Sequence, residues 1–112
     1  MNNLILVLVL VMVLAVVSGC TNTGKEPVIG TWEWSDGKGY TEQYTFYENQ
    51  AFSAKALGSE FIGTWKRTSH DHYQISYWYV NATEPRETLT DTVLYDHETD
   101  DIYFPEHWRV RT

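Results

Sequence analysis

From residue 28 onward the chain alternates bulky apolar and polar side chains with a period of two, in one short segment after another. Tyr40, Glu42, Tyr44 and Phe46 alternate with Thr41, Gln43 and Thr45, and Tyr73, Ile75, Tyr77 and Tyr79 alternate with Gln74 and Ser76. A repeat of two puts successive side chains on opposite faces of an extended strand, whereas a helix requires 3.6. The pattern predicts strands at 29–34, 40–46, 51–57, 61–67, 73–79, 88–95, 101–104 and 107–111. Turn-forming clusters separate them, including Ser35-Asp36-Gly37-Lys38-Gly39, Gly58-Ser59, Ser69-His70-Asp71 and Asp96 to Asp100. No helical stripe follows Cys20. The expected fold is all-β, an antiparallel meander of about eight short strands. Closing it into a small barrel would remove the exposed edges of a flat sheet.

At an offset of 33 residues the chain resembles itself. Ile29-Gly30-Thr31-Trp32 recurs as Ile62-Gly63-Thr64-Trp65, and Tyr40 and Tyr44 recur as Tyr73 and Tyr77. Two copies are too few for a solenoid. They predict two related hairpins packed together within one sheet.

The first twenty residues follow a different rule. Leu4 to Val17 are 14 consecutive apolar positions, too few for a comfortable membrane span but the length of a signal-peptide core. Ser18-Gly19-Cys20 resembles the lipobox of prokaryotic lipoproteins, which implies a diacylglyceryl group on the Cys20 thiol and cleavage just before it. The division is a signal peptide at 1–19, a lipid-anchored tether at 20–27 and a folded domain at 28–112. Because Met1-Asn2-Asn3 lacks Lys and Arg, an uncleaved anchor helix is the alternative. Either version places the domain on the membrane, facing outside the cytoplasm.

Composition narrows the partners. The net charge is −7, and every charged side chain lies after Cys20. Such a surface repels phosphate, so nucleic acid is excluded as an expected partner. A single cysteine allows no internal disulfide. The core must come from the 17 aromatic residues, all between Trp32 and Trp108.

Gly30-Thr31-Trp32, Tyr44-Thr45-Phe46 and Gly63-Thr64-Trp65 together resemble the pattern of small lipocalin-like (calycin-type) domains found in prokaryotic lipoproteins. The resemblance implies that the first-strand Trp, here Trp32, plugs one end of the barrel beneath an Arg of the last strand, Arg109 or Arg111; Trp65 joins this barrel-closing set. If Trp108 and Val110 face inward, both arginines face outward. Bulky inward residues such as Tyr44, Phe46, Phe61, Trp65 and Tyr77 argue for a filled interior. Trp34, Tyr47 and Trp78 are the candidates for a partner or ligand surface on the other face.

Other constellations carry less. His70-Asp71-His72, with His97 and His107 elsewhere, is the nearest approach to a metal site, but it falls in a predicted turn and reads as a solvated loop. The acidic run Asp96 to Asp101 lacks the glycine and the terminal Glu of a calcium loop. Glu33 and Glu42 are the paired carboxylates available for acid–base work. Asn81-Ala82-Thr83 is a glycan-acceptor triplet. No metal, cofactor or enzymatic activity is expected. The expected function is a membrane-anchored, non-enzymatic interaction module contacting an envelope protein or a surface polymer. The alternative is a mini-lipocalin holding a small apolar molecule.

Mass spectrometry of the protein from its native membrane tests the anchor. The expected mature chain begins at a diacylglyceryl-modified Cys20; an intact Met1 with a free thiol would contradict it.

Overall fold

The computed structural model describes residues 26–112; the signal peptide, Cys20 and the tether as far as residue 25 lie outside the described residues. The strands are β1 (Gly30–Ser35), β2 (Thr41–Phe46), β3 (Ala51–Ala56), β4 (Ser59–Ser69), β5 (His72–Tyr79), β6 (Leu89–Asp96), β7 (Asp101–Phe104) and β8 (His107–Arg111). Each pairs antiparallel with its neighbour in sequence, and β1 pairs with β8, so the sheet closes into a barrel. No helix occurs among the described residues. The alternation predicts all eight strands. Only β4 is markedly longer than expected, because tight two-residue turns bound it at both ends. Leu57 and Gly58 before it both have positive φ (57° and 73°), the twist that matches a two-residue hairpin.

One row of each strand faces inward. Trp32, Phe46, Phe52, Trp65, Tyr73, Ile75, Val93 and Ile102 are buried and form most of the core. They collect at the end of the barrel where the chain enters and leaves, and they make its floor. Trp32 is wholly buried; its indole N–H donates to Val28 O at 2.8 Å. The guanidinium of Arg111 lies over the Trp32 ring, 4.2 Å from its centre. That group also donates to Ile29 O and Pro27 O at 2.8 Å and binds Asp100 through two contacts of 2.9 Å. One side chain thus joins β8, the entering segment and the β6–β7 turn.

Gly30 explains part of the sequence motif. Its φ is 137°, and a Cβ there would stand 2.6 Å from Arg111 Nη1. Only glycine leaves room for the guanidinium. Gly63 serves a different end, since a Cβ would meet the β5 backbone at Ser76 O, 1.9 Å away.

Two expectations are corrected. The matched segments are not adjacent hairpins: β3 separates β1–β2 from β4–β5. Three strands of offset also reverse direction in a meander, so β1 runs away from the floor while β4 runs toward it. The repeated residues therefore occupy non-equivalent places. The parity of β8 is likewise opposite to that supposed. Trp108 and Val110 are 50% and 56% exposed, whereas Arg109 is 4% exposed. Arg109 and Arg111 both face inward, and Arg111 is the one that stacks on Trp32.

Glu26, the first described residue, already contacts the barrel. Its carboxylate accepts from the Tyr73 hydroxyl at 2.8 Å and pairs with Arg67 at 3.4 Å.

The floor has a signature in acid. Hydrogen bonds from Arg111, and after it Tyr95, hold the Asp100 carboxyl down at about 2. A depressed carboxylate contributes stability above its unfolded value of about 3.9, and that contribution is lost as pH falls through the folded value. Asp100→Asn is expected to lower the thermal midpoint at pH 7. The gap to the parent protein should shrink below about pH 4 and close near pH 2. A gap that is constant with pH would contradict the pairing.

Candidate functional site

The opposite end of the barrel is open. Short strands and the turns at 36–40, 57–58 and 105–106 form its rim, and beneath them lies a cavity of about 440 Å³. Large rings reach this end too, Tyr44 meeting Phe104 edge to face at 4.8 Å, but they leave the cavity between them, so the expected filled interior is corrected for the open half. Apolar lining comes from Trp34, Phe52, Ala54, Ala56, Leu57, Phe61, Ile75 and Phe104.

Polar groups enter this lining at one level. Glu42, on the inward row of β2, is only 7% exposed, and Arg109 projects from β8 toward it, with 3.8 Å between Nη2 and Oε1. The Glu42 carboxylate accepts from two phenols: Tyr40 at 2.7 Å on Oε2, and Tyr44, in a short contact, on Oε1. Arg109 Nη1 donates to Phe104 O at 2.8 Å and His107 O at 2.7 Å. Its guanidinium carbon sits 3.5 Å from the centre of the Phe104 ring and 4.7 Å from that of Tyr44. A charge taken out of water is costly unless paired and hydrogen-bonded. Here the carboxylate is fully engaged and the guanidinium is not. The buried Arg109 Nε has no hydrogen-bond partner among the described residues. Across the cavity, the Tyr77 hydroxyl donates to Asp91.

Trp34 belongs to this site. It shares the inward face with Trp32, two residues earlier, and stacks on His107 at the rim, with 3.9 Å between ring centres. Its expected place on the other face is thereby corrected. Trp78 does point outward from β5, but the loop at 80–88 folds back so that Arg86 lies 4.0 Å above its ring, leaving it partly covered. Tyr47 is 47% exposed and contacts Ser53 Oγ at 3.2 Å. Asn81 is exposed in the 80–88 loop. Trp65 lies in the floor, donating its indole N–H to Tyr47 O at 2.9 Å.

The Glu33 and Glu42 carboxylates do not form a pair. Glu33 opposes Gln43 in the ladder, on the outer face, whereas Glu42 lies inside. The residues missed in sequence were Glu42 and Arg109 acting together. A Glu in phase with Tyr40, Tyr44 and Phe46 was the available signal, since an acid on an inward row must find a cation.

The tyrosines report this environment. Burial, and after it the hydrogen bond to Glu42, raises the Tyr44 phenol; burial and Asp91 do the same for Tyr77, and burial and Glu26 for Tyr73. A phenol whose folded pKa is raised stabilises the fold below the unfolded value of about 10, and this is lost as pH rises further. In alkaline titration followed by tyrosinate absorbance, these three of the eight tyrosines are expected to ionise only together with unfolding. Ionisation of all eight in one step while the circular dichroism stays native would contradict their burial.

No protein-family model matches this chain, and neither the curated proteins nor the solved structures contain a match.

Proposed function

We propose that the barrel is a lipocalin-like container, and that its open end holds one small molecule with an apolar body and a hydrogen-bond-accepting head. The observation that carries this reading is the cavity of about 440 Å³, walled by aromatic and aliphatic side chains, with Arg109 among its lining residues, its Nη2 held only by long contacts of 3.5 Å to the Tyr44 hydroxyl and 3.8 Å to Glu42 Oε1. Small-molecule sites commonly have volumes of about 300–1,000 Å³, apolar walls and a few convergent polar groups. Because Glu42 already neutralises Arg109, the site favours an acceptor such as a carbonyl, hydroxyl or ester over a bare second charge. An additional anion would have to compete with the carboxylate for the same guanidinium. The role is binding, not turnover.

The lipobox-like Ser18-Gly19-Cys20 supports an extracytoplasmic lipoprotein held by a lipid on Cys20. Residue 26 joins the barrel at the floor, beside Arg67 and Tyr73. An anchor on the preceding segment would therefore attach at the closed end, with the cavity mouth at the far end.

A second reading, docking on an envelope protein or a surface polymer, has one observation in its favour. Leu94, Tyr103 and Trp108 are neighbours in register across the outer face of β6, β7 and β8. Trp108 is half exposed there, its ring 5.2 Å from that of Tyr103. Large exposed aromatics of this kind often mark partner surfaces.

Ala56→Trp separates the two readings. Ala56 lines the cavity near the rim, and an indole there would occupy much of it. With the full-length chain in detergent, binding of N-phenyl-1-naphthylamine is expected to quench tryptophan fluorescence in the parent protein. In Ala56→Trp it should weaken by more than about tenfold, a loss of about 1.4 kcal/mol. Trp108→Ala should leave it unchanged. Probe binding that depends on Trp108 and ignores Ala56 would contradict the container.

A further inference from the structure

Beside the floor, outside the lumen, three metal-ligating side chains from two turns converge. His70 and Asp71 form the two-residue turn between β4 and β5, and His97 stands in the turn between β6 and β7. The backbone brings them together: Tyr95 N donates to Asp71 O at 2.9 Å, fastening the first turn to the end of β6. Asp71 has a φ of 59°, a left-handed conformation that Asp tolerates better than most residues. Its carboxylate is shared between two imidazoles. Oδ1 lies 2.6 Å from His97 Nε2 and Oδ2 lies 3.3 Å from His70 Nε2. All three donor atoms fall within 4.8 Å of one another, and the two imidazole rings stack at 5.6 Å.

We infer that His70, Asp71 and His97 form a divalent transition-metal site, with zinc as the ion best suited to it. A tetrahedral zinc with bonds of about 2.0–2.1 Å holds its donors about 3.3 Å apart. Small rotations of two exposed imidazoles bring this set to that spacing. Two nitrogens and one oxygen match zinc, whereas calcium and magnesium require mostly oxygen. Three protein ligands leave the fourth position to water, so the site is open to an exchangeable group. The turns themselves are held by other bonds: Glu98 N donates to Asp96 Oδ1 at 2.8 Å, and Asp100 N to Asp96 O at 2.9 Å.

Nearby charge favours a cation. Asp96 and Glu98 line the same shallow depression as Asp71 and His97. The two arginines in reach are engaged elsewhere, Arg111 with Asp100 and Arg67 with Glu26. Arg67 Nη2 also lies 3.4 Å from His70 Nδ1; metal on Nε2 places a proton on Nδ1, and Arg67 then turns fully to Glu26. The bound ion would tie the β4–β5 turn to the β6–β7 turn, which carries Asp100 and through it Arg111. The site is independent of any molecule in the lumen.

Isothermal titration of zinc chloride into the full-length chain, in detergent and without a histidine tag, tests this. One zinc per chain is expected, with a rise in thermal midpoint on saturation. His97→Ala and His70→Ala should each weaken binding by more than about tenfold, since loss of even an outer partner of a ligand costs ten- to a hundredfold. His107→Ala, which removes the imidazole stacked on Trp34 at the open end of the barrel, should leave it unchanged. His70 and His97 are at the surface, so their replacement leaves the core intact. Absence of saturable zinc binding, or equal affinity in the His70→Ala/His97→Ala double variant, would overturn the assignment.

Discussion

The packing of the Arg111 guanidinium on the buried indole of Trp32 is the joint on which the barrel depends. The ladder between the first and last strands is short, with Trp32 opposite Arg111 and Glu33 opposite Val110. Two residue pairs are a thin seam for closing a sheet. Arg111 strengthens it with four hydrogen bonds and a cation–π contact, of a kind worth about 0.5 to 2 kcal/mol. A backbone bond from Thr112 N to Thr31 O at 2.9 Å extends it further. Gly30 is the price of that arrangement, because any side chain there would displace the guanidinium.

From this joint follows a lumen with two unlike halves. Near the floor, Trp65, Phe46, Phe52 and Tyr73 interlock edge to face, Trp32 meets Tyr95 in the same way, and the polar tips of Trp32, Trp65 and Tyr73 reach backbone carbonyls or Glu26. Nothing polar is left unpaired among them. Toward the mouth the inward positions carry Glu42, Arg109, Tyr77 and Asp91, residues that would be costly in a dry core and are retained around a space. A barrel needing only to be stable would be better served by apolar residues at 42 and 109. The container proposed for this barrel accounts for the polar set, since Glu42, Arg109, Tyr77 and Asp91 all line the cavity.

Much of this was legible in the chain. Period-two alternation marks the eight strands and pins their register, because a one-residue slip would carry every large ring to the solvent. Trp32 and an Arg of the last strand were identifiable from the lipocalin-like resemblance. Which Arg was not, since β8 reads equally well in either phase: Trp108 and Val110 are apolar, and only a partner for Glu42 selects Arg109 as inward. The cavity was not legible either, because inward bulk along single strands says nothing of how far apart opposite walls stand. The meeting of His70 and Asp71 with His97 depends on the β5–β6 register, which brings two turns distant in sequence to the same end of the barrel.

Fluorine NMR of the full-length chain labelled with 5-fluorotryptophan tests the central claim, a sealed floor beneath an open cavity. The five tryptophans give five signals, assignable by single replacements. With a soluble paramagnetic agent, the Trp32 and Trp65 signals are expected to stay sharp while that of Trp108 broadens. On adding an apolar guest, the Trp34 signal should shift and that of Trp32 should not. Broadening of Trp32, or a guest-induced shift confined to Trp108, would contradict the account.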